Sequence, residues 1–459
     1  MQESRGFASK IGFILTMAAF CIGIGNLWKF PYVVGAQGGG AFLLVYLILV
    51  FLLGIPLFII EVTLGRSSQL SPIKGMAAIE GKKTGWSVIG WLEFIAIFGV
   101  CTFSETIIGG WSPMYVWKVL SGQLSGLSAE EIGGVFGASC GSNRVIIWSI
   151  FTSVLLAACL LSGVKKGVEK LCSILMPTLL VLLVLLAVYA NLLPGASAGL
   201  KWYLTPDFSK INMSVIGAAA AQVFFSIGIG MLVAYVYGSY IAKNNGTGLP
   251  GSMALTAVLD TCVAVLAGLI CTPALFAFGM EPTAGPSLIF VTLPTLFNAM
   301  GGIGRIFGTL FMLCVFAAGY SSMLGGCEAM VATIVDSTKL DRKKAVFLLL
   351  GVMFVLGIFI TKSFDGNSAV SGWTFAFGFG LFDFVDFLSE GLCMPIAGLL
   401  MYIFAIWKWG YPKFMQEVNE GTPEGKFKIG AGLGWYFKYV LPVLTVFAVY
   451  CILHSFGVI

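Results

Sequence analysis

Apolar stretches of about 20 residues, the length at which a helix crosses bilayer hydrocarbon, recur along this chain at 10–36, 41–65, 87–119, 145–163, 168–193, 212–241, 252–279, 303–336, 345–362, 380–407 and 434–457. Eleven such runs leave no room for a soluble domain. The composition agrees, because 58% of the 459 residues are apolar and only 10% are charged, a balance outside the range of soluble proteins. The expectation is an all-α polytopic membrane protein: one domain, 1–459, with eleven transmembrane helices.

Lys and Arg collect in cytoplasmic loops. With the N-terminus inside, 19 of the 26 basic residues fall on the inner side, among them Lys82, Lys83, Lys165, Lys166, Lys343 and Lys344. Lys29, Lys118, Arg144, Lys201, Lys210, Arg305 and Lys362 remain outside or near the outer surface, and the odd span count puts Ile459 outside. The first run lacks a small-residue cleavage site, so no removable signal peptide is expected. The net charge of +5 reflects this inward bias and not a nucleic-acid surface. Eleven cysteines without a C-x-x-C pair read as buried thiols serving as small apolar residues. A single histidine, His454, argues against bis-histidine haem and multi-histidine zinc sites.

The first run carries FCIGIGNLWKFP at 20–31, with two glycines, an Asn, a Lys and a Pro inside a membrane helix. IGIG at 22–25 returns at 227–230, five spans later. An odd separation means the second copy enters from the opposite face, which makes 8–193 and 212–407 an inverted-topology pair, with 434–457 as an eleventh span. Glycine pairs also serve helix packing. Against packing alone stand Asn26 and Ser226, because a helix that unwinds at mid-membrane must aim its freed carbonyls at something polar. Such oxygens suit a monovalent cation, and half-helix N-termini suit an anionic substrate group. Asp260 lies within the run LTAVLDTCVAVLAG, where a carboxylate is functional by default. Ser321 and Ser322 in FAAGYSSML are adjacent hydroxyls that otherwise bond their own helix carbonyls. Glu105 in CTFSETIIGGW falls by helical spacing on the face of Cys101 and Trp111, either in a packing pair or toward a pocket.

GFILTMAAFCIGIGNLWKFPYVVGAQGGGAFLLVYL resembles the first two helices of the neurotransmitter:sodium symporters, the LeuT-fold transporters. MPTLL at 176–180, AQVFFSIGIG at 221–230, AGYSSM at 318–323 and DFVDF at 383–387 are similar to further segments, so the resemblance covers residues 8–457. It implies a LeuT fold with a 5+5 repeat and two sodium sites, without an organic cofactor. The first site would use the Cys21 backbone, Asn26, Ser226 and Asp260. The second would use backbone oxygens of Ala19, Ile22 and Ala318 with the hydroxyls of Ser321 and Ser322. Lys29 and Asp386 resemble the outer gate; Arg5, Tyr240 and Asp336 resemble the inner gate, with Arg5 one position off register and Phe7 in place of the usual Trp. Phe225 resembles the aromatic lid over the substrate.

Where members usually have Asn in the first site this chain has Asp260, which implies independence from chloride. Where most have a substrate-binding Tyr six residues before the third-span Trp it has Glu105. A substrate carboxylate and an ionised Glu105 would repel in a low-dielectric pocket. Either Glu105 carries a proton, or the substrate presents a cation there. Gly23 occupies the position of the monoamine transporters' Asp. The remaining pocket candidates are Phe20, Cys21, Cys101, Ser226, Gly228, Met231, Ser322, Met323 and Gly326, mostly small or soft, leaving room for a bulky apolar or aromatic group. The expectation is a sodium-coupled symporter for an amino acid or related amine, working by alternating access in a prokaryotic plasma membrane. The competing reading is a non-transporting sensor or channel-like protein on the same scaffold. No nucleophile and base constellation of an enzyme is visible. The expected partners are a small-molecule substrate and the lipid bilayer, with no nucleic acid and no indication of oligomeric state.

Overall fold

A computed structural model describes residues 9–23, 25–163, 170–242, 248–280 and 288–459. Its membrane helices are α1 (Lys10–Cys21), α2 (Gly25–Ala36), α3 (Gly40–Ser68), α4 (Gly85–Leu120), α5 (Asn143–Ser162), α6 (Lys170–Asn191), α7 (Met213–Ile227), α8 (Val233–Ser239), α9 (Leu249–Ala277), α10 (Gly302–Ser337), α11 (Arg342–Ser363), α12 (Leu381–Asn419) and α13 (Ala431–Ser455). Among the described residues eight helices are long and apolar enough to span a bilayer, or up to ten when each bent pair is taken as one span. One bent pair is α1 and α2, turned by 46° at their break. The remaining expected span, 212–241, is divided into α7 and α8, and neither is long enough to cross alone.

Both breaks fall where the sequence repeats IGIG. At the first, Ile22 leaves the helical region with φ −76° and ψ 81°. At the second, Gly228 and Gly230 take φ of 75° and 72°, and Leu232 takes 70°. A left-handed backbone is free for glycine but strained for leucine, so packing must hold that turn. Glu61 of α3 supplies part of the hold: its carboxylate accepts the Gly230 amide at 2.9 Å.

Outer helices show what faces lipid. On α5, Ile147, Ile150, Phe151, Val154 and Leu161 are exposed, and on α6, Val181, Val184, Leu185 and Val188 are exposed. Their three- and four-residue spacing makes one apolar stripe per helix, suited to hydrocarbon and not to water. The inner faces meet through small residues. α3 packs on α8, where a Cβ added at Gly65 would lie 1.9 Å from the Tyr235 carbonyl oxygen and one at Gly238 would lie 2.4 Å from that of Val62.

α4 changes pitch midway. Residues Glu105–Trp111 form π turns, which shift every later side chain around the axis relative to an α-helix. The widened turn is sealed by α5, since Ser149 donates to the Glu105 carbonyl at 2.9 Å and Thr152 donates to that of Gly109 at 3.0 Å. No backbone acceptor at these two positions is then left without a partner in the apolar interior.

The α3 and α8 crossing yields a stability prediction. Gly65→Ala should destabilise the protein by about 1–3 kcal/mol, the usual range for overpacking, read as a lowered midpoint in detergent thermal unfolding. Gly133→Ala, with nothing within 4 Å of its added Cβ, should leave the midpoint in place. Equal midpoints for both variants would contradict the backbone contact.

Candidate substrate and ion site

The two breaks lie against each other. The Cys21 thiol donates to the Ile227 carbonyl at 3.4 Å, and the Gln222 amide donates to that of Gly25 at 3.2 Å. Each interrupted helix thus satisfies part of the other.

Three elements bring Asn26, Ser226 and Asp260 together, from α2, α7 and α9. The Asn26 amide donates to Asp260 Oδ1 at 2.7 Å and to the Asp260 carbonyl at 2.9 Å, while Ser226 Oγ donates to Asp260 Oδ2 at 2.7 Å. Ser226 Oγ also lies 3.4 Å from Asn26 Oδ1. Asp260 and Asn26 are fully shielded from solvent. Both donors to the carboxylate are neutral, so they orient its charge without cancelling it. A second group of oxygens joins α1 to α10. Ser321 Oγ donates to the carbonyls of Ala19 at 3.2 Å and Ala318 at 2.9 Å. Ser322 Oγ donates instead to the Phe20 carbonyl at 2.8 Å. Ile22 is buried at the end of α1.

Between these groups is a cavity of about 30 Å³, lined by Phe20, Cys21, Gly23, Gly25, Ile97, Val100, Cys101, Ser104, Ile108, Phe225, Met231, Ser322 and Met323. Of the expected pocket residues, Gly228 and Gly326 lie just behind this wall. A Cβ at Gly228 would meet the Phe20 ring at 2.3 Å, and one at Gly326 would meet the Cys101 sulfur at 2.7 Å. Ser226 belongs to the Asp260 group. At Gly23 an added Cβ would be 2.8 Å from Ser322 Oγ, so an acidic side chain there would have to displace that serine.

Glu105 departs from the sequence expectation. It is buried but does not line the cavity. Its carboxylate accepts a hydrogen bond from Ser153 of α5. On its other flank Gly357 of α11 leaves space, since a Cβ there would lie 3.1 Å from Glu105 Cβ. The cause is its place on the helix: Glu105 directly follows Ser104, about 100° further around the axis, and so falls on the flank of the cavity face. Counting one α-turn on from Cys101 selects Glu105, but the observed cavity face runs Ile97, Val100, Cys101, Ser104 and Ile108. Ile97, Val100, Ser104 and Ile108, which share one α-helical face with Cys101 by three- and four-residue spacing, were not among the residues expected from the sequence.

Lys29 lies 3.7 Å from Asp386 and 4.8 Å from the centroid of the Phe225 ring. Its tighter partner is Glu390, which the sequence reading missed. The signal was present, because Glu390 follows Asp386 by four residues. Below the cavity, the Tyr240 hydroxyl donates to Glu328 at 3.2 Å, and Arg342 donates to the same carboxylate at 3.0 Å. Asp336 accepts the Ser71 amide at 3.1 Å. Arg5 lies outside the described residues.

Comparison with known proteins places this geometry in a lineage. Residues 5–132 and 136–458 match the sodium:neurotransmitter symporter family. The chain is 35% identical to the sodium-dependent transporter YhdH of Bacillus subtilis (strain 168), over 97% of each chain. It is 32% identical to the sodium-dependent transporter MJ1319 of Methanocaldococcus jannaschii, over 97% of this chain and 88% of the other. Its fold matches the crystal structure of MhsT in complex with L-phenylalanine with a TM-score of 0.89 at 32% identity, covering 97% of this chain and 99% of that one. Eleven expected spans, two opposed helix breaks and these matches agree: the chain belongs to the sodium:neurotransmitter symporter family and is a sodium-dependent, LeuT-fold membrane transporter, not an enzyme.

Proposed function

We propose that the protein couples inward movement of sodium to uptake of a zwitterionic amino acid with a bulky apolar side chain, without a requirement for chloride. The observation that carries this reading is the Asp260 carboxylate, fully buried and held by two neutral donors. A buried charge of this kind costs several kcal/mol unless an opposite charge joins it. A desolvated sodium ion coordinated by Asp260, Asn26, Ser226 and the Cys21 carbonyl would supply that charge, and with Asp260 already anionic no external anion is called for. A second ion would take Ala19, Ile22, Ala318, Ser321 and Ser322. The two five-span halves, 8–193 and 212–407, would rock against each other around these sites, with Lys29 and Asp386 closing the outside and Tyr240, Asp336 and Arg5 the inside. The same inward bias of basic residues supports a cytoplasmic N-terminus in a prokaryotic plasma membrane.

The position of Glu105 supports the amino acid over the amine. With its carboxylate turned to Ser153, it neither repels a substrate carboxylate nor receives an amine. The first turn of α2 would take the substrate carboxylate, through the positive end of the helix dipole. MhsT has been crystallised with L-phenylalanine, a ligand of the class proposed. The present cavity of about 30 Å³ holds roughly one water, so its walls must part to admit such a side chain. Met231 and Met323 are suited to that, since unbranched thioethers repack at little cost.

Two measurements test the reading. In proteoliposomes, uptake of L-phenylalanine should require sodium, fall at least tenfold in potassium or choline, and keep its initial rate when gluconate replaces chloride. Uptake that persists without sodium under an imposed potential, or collapses without chloride, would contradict it. In calorimetry with sodium present, phenylalanine should bind and phenethylamine should not, and Glu105→Gln should change the phenylalanine affinity by less than about threefold, below the 1.4 kcal/mol that separates tenfold steps. Preferential binding of the amine, lost in Glu105→Gln, would return Glu105 to the substrate site.

A further inference from the structure

Lys29 stands between two carboxylates of unlike surroundings. Asp386, at 3.7 Å, has a side chain 22% exposed, whereas Glu390, in direct ion-pair contact, has one that is 1% exposed. Asp386 ends one stretch of α12, and the π turns Phe387–Cys393 that follow carry Glu390 inward. Both acids, with Asp383, Lys29 and Phe225, line a vestibule of about 300 Å³ above the substrate cavity. Glu390 Oε1 has no hydrogen-bond partner. A pair that keeps some contact with water is screened more than a sealed one, and separating a buried pair leaves an uncompensated charge in apolar surroundings. The inner contact is therefore much the harder one to break. Lys29 also lies over the Phe225 ring, so where its ammonium is held decides how firmly that ring covers the cavity.

We propose that Glu390 is a positioning residue of the extracellular gate. Asp386 receives Lys29 while the vestibule is open, and Glu390 takes it over as α2 and α12 approach, which holds Phe225 across the cavity. The inference rests on the reading of Lys29, Asp386 and Phe225 as the outer gate. It adds a second, inner station for the lysine, and makes the buried acid the one that sets how long the gate stays shut.

The protein carries its own reporters. Cys21 and Cys101 line the cavity beneath Phe225 and are buried, so a membrane-impermeant cationic thiol reagent added outside reaches them only through an open gate. Site-resolved labelling of Cys101, measured by mass spectrometry in sodium-containing proteoliposomes, should be about tenfold faster in Glu390→Gln than in the unmodified protein. Asp386→Asn should give a smaller increase, about threefold, and Lys29→Ala should match Glu390→Gln. The double variant Lys29→Ala/Glu390→Gln should label no faster than either single one, because both remove the same contact; additive acceleration would mean general loosening and would overturn the proposal. If Lys29→Ala accelerates labelling but Glu390→Gln does not, or if Asp386→Asn exceeds Glu390→Gln, the inner station is wrong and the gate reading stands. If Lys29→Ala leaves the rate unchanged, the gate reading fails and the proposal with it.

Discussion

A carboxylate sealed in apolar protein is the constraint around which this molecule is arranged. Asp260 sits on an uninterrupted helix, α9, and the groups that bond it come from α2 and α7, next to the two places where helices stop being helices. Continuous helices would have spent their backbone oxygens on themselves. The breaks release them, and the glycines at 228 and 230 make the second break possible at little cost in backbone strain. Glu61, Gln222 and the Cys21 thiol then tie backbone groups of the breaks.

The fold was legible because membrane crossing is a one-dimensional property. Each apolar run had to be a helix, and the IGIG echo located both breaks without any knowledge of packing. The ion-site residues were legible in part for the same reason, since Asn26, Ser226 and Asp260 are polar groups in runs where polarity is costly. Their mutual bonding was not, because it depends on how three remote helices dock.

Two local details escaped the sequence. Glu105 sits four residues after Cys101 but on the edge of its face, and its carboxylate bonds Ser153 of α5 and does not line the cavity. The resemblance to relatives with Tyr at this position favoured the pocket, whereas the packing pair, also open from the sequence, matches the contact with Ser153. Glu390 escaped for a different reason. The family pattern offered one acid for Lys29, and the pairing with Glu390, four residues after Asp386, depends on how α2 and α12 dock.

The central claim is that the buried charge of Asp260 completes a sodium site between the two breaks. Equilibrium binding of radioactive sodium to the purified protein, compared with Asp260→Asn, tests it most directly. The account predicts saturable binding in the unmodified protein and loss of at least one equivalent of sodium in the variant, with the fold retained by circular dichroism. The same sodium stoichiometry and affinity in both would show that Asp260 holds no ion, and the proposed site would have to be abandoned.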